Sequence, residues 1–147
     1  MTYVKAAANG IPARDLHVPM LVGWLLGDVR RTFAAEDWGG LRQSHFRLLS
    51  SIPPEGLNVT ELAARIGMTK QACGEFVAFL VGTGHVTVGR DPQDARVRCV
   101  SRTPLGDRTV AAVNARIRRI ERAWARQVGA ERYAEFRSVL TEIATGT

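Results

Sequence analysis

Residues 58–84, NVTELAARIGMTKQACGEFVAFLVGTG, hold two apolar periodicities of helical spacing with only about three residues between them. Asn58 followed by Glu61 has the spacing of a capping box, and Val59, Leu62, Ala63 and Ile66 recur on one face. Gly67 closes that helix and Thr69 caps the next. In the second helix Cys73, Phe76, Val77 and Leu80 repeat at intervals of three and four. Helices joined so tightly must cross at a steep angle. They need a small residue where they touch and an apolar plug from the second helix. Ala63 fills the first position, Cys73 with Phe76 the second. The stretch is therefore expected as a helix–turn–helix. Its second helix would enter a major groove with N-terminal residues against base edges. Lys70 and Gln71 are the expected readers, and Thr69 would hold a phosphate through its hydroxyl and the helix N-terminus. A helical hairpin used only for packing satisfies the same pattern.

Gly74 is unusual inside a helix, where glycine costs about 1 kcal/mol relative to alanine. It either lets the backbone approach DNA closely or is tolerated by its neighbours. Cys73 sits on the apolar stripe, as a buried and inert thiol would. Cys99 alternates with Val97 and Ser101 along a strand. With two cysteines, no CxxC spacing and three scattered histidines, neither a disulfide framework nor a metal site is expected.

The segments around this unit extend the pattern. Asp15 is placed to cap a helix running to about Ala35, with Pro19 in its first turn and Val18, Val22, Leu25, Val29 and Phe33 on one stripe. The residues before it read as a loose arm. Gly39-Gly40 breaks the helix, and a second runs from about Leu41 to Ser51, stopped by Pro53-Pro54. HVTVG (85–89) and VRCVS (97–101) read as two short strands around RDPQDAR, a hairpin with an extended tip. Thr103-Pro104 opens a helix to about Val128, with Val110, Val113, Ile117, Ile120 and Trp124 at heptad spacing. Gly129 separates it from a last amphipathic helix, about Ala130–Ala144, with Tyr133, Phe136, Val139, Leu140 and Ile143 on its apolar face. One compact domain does not easily absorb two long apolar-striped helices, so both are expected to meet a second copy of the chain.

Charge narrows the class of partner. The chain of 147 residues carries a net charge of +6, with 18 arginines against 2 lysines. Such a balance favours a polyanion, nucleic acid ahead of a membrane, although arginine-rich composition also follows from GC-rich coding. The longest apolar run, VPMLVGWLLG (18–27), is too short to span a bilayer, and no signal peptide is visible. A cytoplasmic protein is expected, with no cofactor. No nucleophile–base–acid set and no Gly-rich phosphate loop points to catalysis. Trp24, Trp38, His17 and His45, in the first two helices, would line a pocket for a small aromatic ligand, with Trp24 and His45 foremost, or else pack in the core.

The order of elements, the LAARIGMTKQA turn and the DPQDARVRCVSRTPLG segment resemble the MarR family of bacterial transcriptional regulators across about residues 14–145. The wing signature is Asp91-Pro92 with Asp94 and Arg96, then Thr103 and Gly106. The resemblance implies a single domain over 1–147 of mainly α class with a small β-hairpin wing (α+β). Helices in 14–37 and 104–145 would dimerise, and 41–103 would form the winged helix–turn–helix. It also implies a homodimer on a pseudopalindromic double-stranded DNA operator, usually a repressor, often released by a phenolic or other anionic aromatic effector. Arg96 would enter the minor groove, steadied by Asp94. Arg90 and Arg98 join Thr69, Lys70, Gln71, Gly74, Asp94 and Arg96 as the expected DNA-binding set, with Arg98 either on phosphates or facing water. Glu75, Phe79, Val88 and Ala95 depart from the family's pattern and make the reading face less basic. They support an alternative, a winged-helix dimer that binds protein or ligand and has lost DNA.

Overall fold

The computed structural model describes residues 10–147, so the N-terminal arm, but for Gly10, lies outside the described residues. A single 3-10 turn, Ala13–Asp15, precedes α1 (Val18–Ala34) and α2 (Gln43–Ser51). Then come β1 (Leu57–Asn58), α3 (Val59–Ile66), α4 (Lys70–Gly82), β2 (Val86–Arg90), β3 (Arg98–Arg102), α5 (Pro104–Val128) and α6 (Ala130–Thr145). Two compact units result, one reaching Val110 and the other Ala111–Thr147, with α5 contributing to both.

The core of the first unit is the helix–turn–helix with its supports. Leu48, Leu49, Ile52, Leu62, Ile66, Cys73, Leu80, Val86 and Val100 are fully buried, and Ala63 at the helix crossing is nearly so. The local signals act as expected. Asn58 Oδ1 accepts the Glu61 N–H at 2.8 Å, and Thr69 Oγ1 accepts the Ala72 N–H at 3.1 Å. Gly67 takes φ +66°, which lets Met68 and Gly67 donate back to the Ala63 and Ala64 carbonyls at 2.9 and 3.3 Å. That pairing satisfies the last carbonyls of α3 and turns the chain sharply. Arg47 also donates to the Ile66 carbonyl at 2.6 Å, tying α2 to the end of α3.

The reading of Asp15 needs correction. Asp15 does not cap α1: the helix begins after His17, whose carbonyl accepts from Met20 and Leu21 at 3.0 and 3.1 Å. Asp15 is instead held in the 3-10 turn, its carbonyl accepting from His17 at 3.1 Å, and Pro19 in the first turn offers no N–H to a capping side chain. Val18, the first member of the expected α1 stripe, is 68 % exposed, whereas Phe33 at its other end is buried. The sheet has three strands, ordered β1-β3-β2, because Leu57 and Asn58 pair with Val100 and Cys99. Residues so distant in sequence leave no local signal of their pairing.

The hairpin strands lie one residue later than expected, in the register Val86↔Arg102 to Arg90↔Arg98. Its tip is built by Asp91, whose Oδ1 accepts from Gln93 and Asp94 N–H at 2.7 and 3.3 Å. Backbone bonds from Asp91 to Val97 and from Val97 to Asp94, 2.8 and 2.9 Å, close it. Thr103 caps α5 by accepting from Gly106 N–H at 3.1 Å, and its hydroxyl donates to the Gly84 carbonyl at 2.6 Å.

Candidate nucleic-acid interface

Successive residues of α4 are about 100° apart around its axis. Cys73, Val77 and Leu80 point into the core, so Gln71, Glu75 and Ala78 lie on the opposite face, with Gly74 at its edge and Lys70 further round. An added Cβ at Gly74 would meet nothing within 4 Å, so the helix surface there is open. The cap bond of Thr69 uses its oxygen as acceptor. Its O–H stays available as a donor beside the first free N–H groups of α4.

A groove of about 1000 Å³ runs between this helix and the hairpin, lined by Lys70, Gln71, Gly74, Arg96 and Arg98 together with residues of the α3 start. Five of the expected DNA-binding residues therefore share one concavity. Thr69, Arg90 and Asp94 are outside its lining. Arg90 stands directly opposite Arg98 on the ladder, so both guanidinium stems leave the same face. Like charges placed so are unfavourable alone, and an anion between them would relieve the repulsion. Asp94 acts on Arg96, its Oδ1 accepting the Arg96 backbone N–H at 3.0 Å and Nε at 3.2 Å. The Arg96 side chain is 92 % exposed, so this pair contributes orientation more than stability.

Asn58, Thr60 and Glu61 at the start of α3 also line the groove. In the sequence Asn58 and Glu61 carry only the spacing of a cap, which gives no sign of this placement. It follows from the β1–β3 pairing, which brings the start of α3 beside Arg98.

His45 sits elsewhere, in a cleft of about 330 Å³ whose wall includes Arg42, Ser44, Glu75, Phe76 and Phe79. Its ring stacks on Phe79 at 4.5 Å and meets Phe76 edge-on at 5.0 Å. Nδ1 accepts the Arg42 N–H at 2.8 Å, so the proton is on Nε2. Trp24 does not line this cleft. It lies nine residues before Phe33 on α1, about 14 Å along the axis. Trp38 is also outside this cleft: it donates to the Phe33 carbonyl at 3.1 Å and packs with Phe33 and Phe46 at centroid distances of 5.5 and 5.1 Å.

Burial holds His45 below the ordinary imidazole value, with smaller contributions from the Arg42 charge and from His85. Burial likewise lowers His85, partly offset by its bond to Thr83. The unfolded chain therefore binds more protons than the folded one below pH 6.5 or so. Stability is intact above that pH and falls as pH drops beneath it. Denaturant midpoints measured from pH 7.5 downward should show this decline, and His45→Gln should make it shallower. A decline of equal steepness in the variant would remove His45 as a source. Burial also raises the Cys73 thiol, away from the thiolate that oxidation chemistry requires.

Among the described residues no cluster of His, Cys, Asp and Glu could hold a metal ion, and no helix is long and apolar enough to cross a membrane. No family model and no curated protein matches the chain. Solved structures do. The PcaV transcriptional regulator of Streptomyces coelicolor, in complex with its natural ligand, is 22% identical, with a TM-score of 0.69 over 88% of this chain and 93% of that one. CouR of Rhodococcus jostii RHA1, bound to p-coumaroyl-CoA, is 24% identical, with a TM-score of 0.69 over 88% and 90%. A MarR-family transcriptional regulator of Rhodococcus sp. RHA1 is 23% identical, with a TM-score of 0.70 over 88% and 92%. The chain thus has the winged helix–turn–helix fold of the MarR-family transcriptional regulators.

Proposed function

We propose that this chain is a homodimeric DNA-binding transcriptional regulator, a repressor relieved by a small aromatic or anionic ligand. The observation that carries the reading is the groove between α4 and the hairpin. A winged helix places one element in a major groove and the other in the adjacent minor groove, so a sugar-phosphate strand must pass between them. Lys70, Arg96 and Arg98 line the concavity that such a strand would occupy. Phosphate contacts supply most of the affinity, and Lys70, Gln71 and Arg96 supply sequence or shape selection.

The partner is a second copy of the chain, joined through helices in 14–37 and 104–145, with 41–103 on DNA. Support comes from α6, where Phe136, Val139, Leu140 and Ile143 recur at helical spacing and are 41–76 % exposed. A pseudopalindromic operator matches a two-fold dimer. The effector reading takes support from the aromatic-walled cleft at His45 and from the ligands carried by PcaV and CouR.

A gel shift with the gene's own upstream DNA, repeated with aromatic acids, tests the whole reading. Arg96→Ala should weaken binding and lower the salt slope by about one unit. Unchanged affinity and slope would remove the hairpin from the interface. Exposed Phe79 and the carboxylate of Glu75 favour a second reading, a dimer that binds protein or ligand without DNA. Retention on heparin together with a specific gel shift would exclude it.

A further inference from the structure

Glu75 is the one acid on the outward face of α4. The ion pairs among the described residues are Arg14–Asp15, Arg31–Asp28, Arg96–Asp94 and Arg102–Asp107, and Glu75 is in none of them. Arg42 shares its cleft, yet no bond joins the two. An unpaired carboxylate on a helix that approaches DNA meets two kinds of surface. Phosphates repel it, and so do the acceptors that guanine and thymine show in the major groove. Only the amino groups of cytosine and adenine offer it a proton.

Its position argues against the phosphates. Lys70 lies toward the hairpin groove with Arg96 and Arg98, and Arg42 lines the cleft on the other side. Glu75 is on the wall of that cleft and about 40° round the helix from Gln71, near the middle of the outward face, beside a glycine whose missing side chain leaves the surface open. Cytosine suits a carboxylate better than adenine does. The adenine amino group lies between two acceptors, its own N7 and the thymine O4, whereas the cytosine amino group has the guanine O6 on one side and the apolar C5 edge on the other.

We propose that Glu75 is a specificity-determining residue that reads a cytosine amino group once in each operator half-site. The assignment rests on the DNA-binding reading above. Gln71 lies one helical turn earlier, about 6 Å along the axis, close to two base-pair rises of about 3.4 Å. The cytosine should therefore fall about two base pairs from the base chosen by Gln71.

Selection from a randomised duplex library with the full-length wild type, Glu75→Ala, Glu75→Gln and Gln71→Ala tests this. Wild type should prefer cytosine at one position per half-site by about fivefold or more. Glu75→Ala should lose that preference and keep the others. Glu75→Gln should move it toward adenine, whose N6 and N7 a glutamine amide matches. Gln71→Ala should alter a position about two base pairs away. Uniformly tighter binding of Glu75→Ala with an unchanged consensus would overturn the assignment, leaving Glu75 as an electrostatic brake. An unchanged consensus and affinity would overturn it as well. No enrichment by wild type would overturn the DNA reading itself, and this assignment with it.

Discussion

Gly106→Ala should destabilise the protein by about 3 kcal/mol or more, lowering the melting temperature by about 6–12 °C. The added Cβ would overlap the backbone carbonyl oxygen of His85 and stand 3.3 Å from the Arg102 Cβ. Neither neighbour has freedom to yield. The His85 carbonyl accepts the Thr103 N–H at 3.1 Å. Arg102 is held by Asp107 at 2.8 Å and by the Leu49 carbonyl at 3.2 Å. The first turn of α5 and the first residues of β2 would have to separate, and with them the root of the hairpin. Gly74→Ala is the control, because a Cβ there meets open space. It should leave stability unchanged or raise it by about 1 kcal/mol through helix propensity. Thermal melts of both variants decide the matter, and equal melting temperatures would mean that Gly106 is not a close-packed contact.

Leu140→Glu should convert the protein to a monomer and reduce operator affinity by about a hundredfold or more. Leu140 lies in the α6 stripe with Phe136, Val139 and Ile143, and all four are exposed in the single chain. Burying a carboxylate in an apolar interface without a partner is strongly unfavourable, whereas in the isolated chain the new side chain reaches water. Helicity by circular dichroism should therefore persist while sedimentation equilibrium shows one chain. The affinity loss follows from bivalency. A dimer binds its second half-site at high effective concentration, and that advantage reaches about a hundredfold to ten thousandfold. A variant that stays dimeric would place the interface elsewhere. A monomer that still binds operator at full strength would show that one half-site suffices.

Both expectations trace to positions of very different legibility. Gly106 stands in the sequence as part of a recognisable signature, yet the reason for glycine is visible only once the His85 carbonyl lies against it. The α6 stripe was legible directly, since helical spacing of Phe136, Val139, Leu140 and Ile143 needs no knowledge of the rest of the chain. The same holds for Asn58, Gly67 and Thr69. Each acts on backbone groups within a few residues, so spacing alone identifies the bond. The pairing of Asp94 with Arg96 is what the family resemblance implies, and the structure joins the two through one oxygen.

Residues that depend on distant partners were read less well. Asp15 resembled a cap because acids before a helix usually are, but the preceding 3-10 turn engages its backbone first. Trp24 and His45 share a residue chemistry in the sequence, and in the fold His45 lines a cleft whose wall does not include Trp24. Glu75 illustrates the same gap in the other direction. Its charge looks misplaced on a reading helix, whereas its position on the outward face, one turn after Gln71 and beside the Arg42 cleft, makes a base amino group its natural partner.

By itself, then, the sequence determined the helix–turn–helix, the hairpin tip, the order of elements and the apolar faces, because each rests on contacts within one or two helical turns. The tertiary structure alone decided the third strand and the α3 residues of the groove. It also decided the arrangement of Arg90 against Arg98, the cleft around His45 and the need for glycine at 106. Those depend on groups brought together by packing across the chain, and no periodicity encodes which distant backbone a side chain will meet.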